Sequence, residues 1–123
     1  MYVESVLPVV EAGQAELVQA GHMLGDCVTL IPTPGHTPGH VSIRVKSGID
    51  EAVITGDALH STVQCWYPNW HFTFDSDAEM AVVSRIQLLE SVSEAGCILL
   101  GSHFAHPSIG RVNVERGAFR WTG

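Results

Sequence analysis

The chain has 123 residues, 46% hydrophobic and 15% charged, with a formal charge of −7 at pH 7. That balance belongs to a folded, core-rich segment and excludes disorder, and the length leaves room for one domain, not two. Six Lys and Arg with no basic run exclude a nucleic-acid or anionic-membrane surface, and no apolar stretch nears the roughly 20 residues of a membrane span.

The N-terminus lacks a basic segment followed by an apolar one, so the expected location is the cytoplasm. Cys27, Cys65 and Cys97 are odd in number, widely spaced and without a CxxC, which points to ordinary thiols, two of them opening buried strands.

Glu4 to Ala12 reads as a short helix with Pro8 in its first turn, broken by Gly13. Ala15–Val18 and Cys27–Ile31 have the apolar and β-branched content of strands, with Gly21 and Gly25 between them. Val41–Val45 alternates as a strand with one buried face does, and Ala52–Thr55 is a brief apolar strand running into Gly56 and Asp57. From Trp66 to Phe74, five of the nine aromatics fall without periodicity, as in a long loop packed by its own rings or walling an apolar substrate pocket.

Ser76-Asp77-Ala78-Glu79 fits a capping box, which starts a helix near Asp77. Ala81, Val82, Ile86, Leu89 and Val92 give that helix one apolar face. Arg85 lies within it, either snorkelling at the edge of the stripe or paired with Asp75 or Asp77. Gly96 ends the helix, Cys97–Leu100 forms a short buried strand, and Arg111–Val114 with Ala118–Trp121 forms a terminal hairpin.

The chemistry gathers at three strand ends. IPTPGHTPGH, from Ile31 to His40, contains two Pro-Gly steps that turn the chain stiffly and aim His36, whose imidazole has one nitrogen for a metal and one for an orienting partner. Thr55-Gly56-Asp57 and Gly101-Ser102-His103 each follow an apolar run. Singly, each residue could be an ordinary turn or cap residue; three in succession at strand ends are the arrangement of a metal site.

Through TPGHTPGH (Thr33–His40), TGD (Thr55–Asp57) and GSHFAHPSIGR (Gly101–Arg111), the chain resembles the metallo-β-lactamase superfamily, in particular its methyl-parathion-hydrolase-like and lactonase-like branch. The resemblance implies an α/β fold: the C-terminal half of a four-layer αβ/βα sandwich, one mixed sheet with helices on one face, filling residues 1–123. It also implies two divalent metals, zinc first and manganese, cobalt or iron as alternatives. A metal-bound hydroxide would attack an ester, lactone, β-lactam or phosphotriester.

By the same resemblance His36 serves the first metal, Asp57 bridges both as the catalytic carboxylate, and His103 serves the second. His40, His60, His106 and Trp66 are candidates for substrate contacts or for supports behind the ligands. The family's HxHxDH motif, source of four further ligands, is nowhere in the sequence. The expectation is therefore a truncated frame beginning at Met1, nearly inactive alone, its exposed sheet face buried in a homodimer or on the missing N-terminal half. A noncatalytic metal-binding or dimerisation module and one half of a split enzyme are the alternatives.

Overall fold

A computed structural model describes residues 2–123; Met1, where the truncated frame was expected to begin, lies outside the described residues. A π-helical turn (Tyr2–Val6) and α1 (Leu7–Glu11) open the chain, with Pro8 in the first turn of α1 and no buried residue in either element. Seven strands follow in one mixed sheet whose spatial order is their chain order: β1 (Met23–Leu24), β2 (Val28–Pro32), β3 (Val41–Ser47), β4 (Asp50–Ile54), β5 (Ile98–Leu100), β6 (Ile109–Glu115) and β7 (Ala118–Thr122). The strand expected over Ala15–Val18 does not form. Those residues are exposed, Leu17 fully so, and a strand without a neighbour has nothing to satisfy its ladder groups.

Neighbouring strands pair antiparallel except β4 and β5, which run parallel in the register Val53 with Leu99. That single parallel pair requires a crossover, supplied by α2 (Val63–Trp66) and α3 (Ala78–Ala95) between β4 and β5. β2, β4 and β5 consequently point the same way and end at one rim of the sheet.

The core lies between α3 and one sheet face, with Leu88, Leu89 and Val92 packed against Val53, Leu99 and Val112. Cys65 of α2 and Trp121 of β7 close its far side. Register places Leu30, Ile43, Val45, Ile54, Ile98 and Leu100 on the opposite face, all half-buried. Of the three thiols, Cys65 and Cys97 are buried and Cys27 is exposed. Cys27 therefore does not open a buried strand as expected.

Two details of α3 differ from expectation. Its cap is Asp77, whose carboxylate accepts from the Met80 amide at 3.0 Å; Ser76 stands one residue too early for the role. The buried stripe runs Ala81, Ser84, Arg85, Leu88, Leu89, Val92, leaving Val82 and Ile86 only partly covered. The stripe rotates because Arg85 points inward with its side chain fully buried, which rules out snorkelling. It donates to the carbonyls of Ala58 (3.0 Å), Pro68 (2.7 Å) and Trp70 (2.9 Å), and its second terminal nitrogen lies 3.6 Å from the buried Asp75 carboxylate.

The sharper expectation, a pair with Asp75, is the one observed. The guanidinium is the post around which the aromatic segment from Ala58 to Asp75 is wound. Arg85→Leu should destabilise the fold by about 3–5 kcal/mol in urea unfolding, because it strands the buried Asp75 carboxylate and three carbonyls. A loss below 1 kcal/mol would contradict this account.

Candidate metal centre

Each of the three parallel-running strands delivers one side chain to the shared rim. After β2 the Pro-Gly loop carries His36 and is fastened to the start of α3. The Ser76 and Asp77 amides donate to the carbonyls of His36 (3.1 Å) and Gly35 (2.9 Å), and the Ser84 hydroxyl donates to Pro34 O at 2.6 Å. Gly35 is required there: its φ is +131°, and a Cβ would sit 2.2 Å from the Ala81 nitrogen.

After β4 the chain enters a 3-10 turn, Gly56–Ala58, with Asp57 at its centre. After β5 the loop brings His103 back over Asp57.

His36 is held by Asp75, whose Oδ1 lies 3.1 Å from its Nδ1. A carboxylate can only accept, so Nδ1 carries the proton and Nε2 presents its lone pair toward Asp57, 3.8 Å from Oδ2. The other carboxylate oxygen, Oδ1, meets His103 Nε2 at 2.5 Å and His60 Nε2 at 3.6 Å. Asp57 thus has an imidazole on each of its two oxygens. Burial by itself would raise its pKa, but the hydrogen bond from His103 and the neighbouring imidazoles outweigh it and hold the carboxyl below its ordinary range.

His40 is not aimed at this cluster. Its Nδ1 donates to the Thr33 carbonyl at 3.1 Å and lies 2.8 Å from Thr33 Oγ1, and its Nε2 accepts from the Asp57 amide at 2.9 Å. Both nitrogens are committed, so no lone pair is left for a metal. Burial pushes its pKa down, which agrees with a neutral ring.

The relay continues through Thr33 Oγ1 to Ser42 Oγ (3.1 Å), whose hydroxyl donates to Thr55 O at 2.9 Å. Gly56 is the residue that lets this happen: its φ is +55°, and a Cβ would lie 2.7 Å from His40 Nε2. His40 therefore fixes the backbone of the residue that matters most, a support role that the Pro-Gly loop suggests only in part.

His60 is brought in. Its ring stacks on Phe72 at 3.6 Å and faces His103 at 5.0 Å, and its backbone amide donates to Gln64 Oε1 at 2.8 Å. Burial, then repulsion from His103, lowers its pKa. Ligand atoms of His36, Asp57 and His60 all lie within 4.8 Å of one another.

His106 is exposed and, among the described residues, no hydrogen bond, ion pair or ring contact ties it to the cluster. Trp66 is also outside. It lines a cleft of about 320 Å³ with Tyr67 and Trp121, under the Arg120 guanidinium at 4.3 Å. Trp70 and Phe72 instead wall an open depression of about 360 Å³ that reaches His60. The aromatic segment both packs on itself, Tyr67 against Trp70, and borders the cluster.

This donor set fits a divalent ion: two imidazole nitrogens, one of them oriented by a carboxylate behind it, and the Asp57 carboxylate. The profile of the Metallo-beta-lactamase superfamily matches residues 3–95. The chain belongs to that superfamily.

Among solved structures it resembles the hydrolase AbOPH of the beta-lactamase superfamily, with 27% identity and a TM-score of 0.88 over 96% of this chain and 41% of that one. It has the fold of AidC, a dizinc quorum-quenching lactonase, with 24% identity and a TM-score of 0.84 over 98% of this chain and 41% of that one. AiiA of B. thuringiensis, solved with N-decanoyl-L-homoserine at its active site, is 25% identical, with a TM-score of 0.64 over 75% of this chain and 36% of that one. No curated protein matches.

The chain spans about two-fifths of the length of AbOPH and AidC.

The Asp75 support can be tested directly. Asp75→Asn should lower the zinc affinity of the chain roughly 10- to 100-fold in a chelator-competition titration, the cost of losing an outer partner to a ligating histidine. The cap variant Asp77→Asn should leave it unchanged, and equal affinities for the two variants would show that Asp75 does not orient His36.

Proposed function

We propose that this chain carries the Asp57 side of a metal-dependent hydrolytic centre acting on an ester, lactone, β-lactam or phosphotriester. The observation that carries this reading is the placement of His36 and His103 on opposite oxygens of one ionised carboxylate. A bound divalent ion, zinc by the nitrogen and carboxylate donors and manganese, cobalt or iron as substitutes, supplies an acidified water and polarises the scissile bond.

The residues of the chain do the rest. His36 and His103, the histidines that the family pattern assigns, would hold the divalent ions together with Asp57. His40 and the 3-10 turn keep the carboxylate from rotating away. The depression walled by Trp70 and Phe72 accepts an apolar part of the substrate beside His60. AiiA and AidC favour a lactone as the substrate to try first.

No described helix is long and apolar enough to cross a membrane, and the three free thiols suit a reducing compartment, which favours the cytoplasm. The apolar sheet face opposite α3 favours a covering layer, either a second copy or the part of the fold that the longer relatives possess. If no turnover is found, the noncatalytic metal-binding and dimerisation reading takes its place, on the strength of that same face.

The purified chain with added zinc should hydrolyse an N-acyl homoserine lactone at no more than a trace rate. That rate should vanish with EDTA and fall at least about 100-fold in Asp57→Ala, since losing even an outer support costs 10- to 100-fold. Turnover that survives both treatments would contradict a metal centre at Asp57.

A further inference from the structure

A cleft of about 320 Å³ opens between α2 and the edge strand β7, lined by Thr62, Val63, Trp66, Tyr67 and Trp121, and no member of the metal cluster borders it. We infer that this cleft is a second ligand site, separate from the Asp57 rim, and that it takes a small aromatic carboxylate. The ring of that ligand would lie against the aromatic walls and its charge on Arg120.

The walls are the first reason. Arg120 and Trp121 are neighbours on β7 and leave it on opposite faces, yet both reach α2, Trp121 across the cleft and Arg120 over the Trp66 ring at 4.3 Å. Each ring is braced by a residue that does not line the cleft. Trp121 stands edge-on to the buried Phe104 at 5.0 Å, Tyr67 is stacked on Trp70 at 5.0 Å, and Trp66 carries the guanidinium. Braced rings hold a cleft open, and a preformed, aromatic-walled volume of this size is that of a small-molecule site. Trp66 and Tyr67 are 46% and 53% exposed, so there is ring surface for a ligand to cover.

The second is the sign of the polar groups. Indole nitrogens and guanidinium groups only donate. Among the described residues, no hydrogen bond reaches either indole nitrogen, the Tyr67 hydroxyl or the Arg120 guanidinium. The cleft therefore offers free donors, which an acceptor-rich ligand satisfies.

The third is charge. Of the cations withdrawn from solvent, Arg44 pairs with Glu51 at 3.0 Å and Arg85 with Asp75 at 3.6 Å. Arg120, half-buried like Arg44, has no carboxylate among the described residues, in a chain with 13 acidic residues and a net charge of −7. One guanidinium fork matches one carboxylate. Val63 and the Tyr67–Trp70 stack divide the cleft from the depression beside His60, so a ligand here leaves the rim free.

The test is calorimetric titration of the whole chain with 2-naphthoate and with its neutral isostere 2-naphthamide. EDTA is present throughout, so that no metal at Asp57 can hold the acid. The acid should bind with a Kd below about 1 mM and at least about tenfold tighter than the amide. Arg120→Gln should erase that preference and Arg120→Lys preserve it, a split that a merely structural arginine would not produce. Trp66→Ala should weaken both ligands alike.

Equal affinities for acid and amide, a preference for the acid that survives Arg120→Gln, or no binding of either would overturn the inference. So would a chain that sediments as a dimer and becomes a monomer in Trp66→Ala, because a second copy would then fill the cleft. No metal takes part in these measurements, so none of their outcomes bears on the reading of Asp57.

Discussion

The structure depends on one parallel pairing. Because β4 and β5 run in the same direction in a sheet that is otherwise antiparallel, β2, β4 and β5 all finish at one rim. The first backbone bond beyond the paired residues, from the Thr55 amide to Leu100 O at 3.0 Å, carries that alignment to the edge of the cluster. Rigid strand ends fix where side chains begin, and the short loops beyond them need only aim. Had β5 paired antiparallel, His103 would have left the sheet at the opposite edge.

Aiming is done by two polar networks that meet at Asp57. One starts at the buried Arg85, passes to Asp75 and ends on His36, so a charge in the core sets the tautomer of a ring at the surface. The other runs from Thr55 through Ser42 and Thr33 to His40 and closes on the Asp57 amide. Thr33, Ser42 and Thr55 are all buried, and every hydroxyl in that run has a defined role, which is what makes a buried network rigid instead of costly. Side-chain direction is thus controlled by His36's partner, and backbone position by His40.

Much of this was legible in the sequence because it is written in local chemistry. The Pro-Gly steps, the Gly-Asp turn and the Gly-Ser-His turn each follow an apolar run, and the residues that they aim do converge. Charge complementarity made the Arg85–Asp75 pair readable as one of two possibilities.

What was hidden depends on approach between distant parts of the chain. The contact of His40 with the Asp57 amide spans seventeen positions and exists only because Gly56 leaves room for it. The tilt of the α3 stripe was misjudged because an arginine in the core breaks the apolar pattern by which stripes are found. Ala15–Val18 had the composition of a strand but no neighbour to pair with. For His60 there was only an Asp-x-x-His spacing; what brings its ring beside Asp57 is stacking on Phe72 and the tie of its amide to Gln64, neither readable from that spacing.

The central claim is that residues from three strand ends gather into a cation-binding centre around Asp57. Anomalous scattering at the zinc edge, from crystals of the chain grown with zinc, tests it most directly. The account predicts a peak within bonding distance of Asp57 and His36, and a peak elsewhere, or none at the rim, would contradict it.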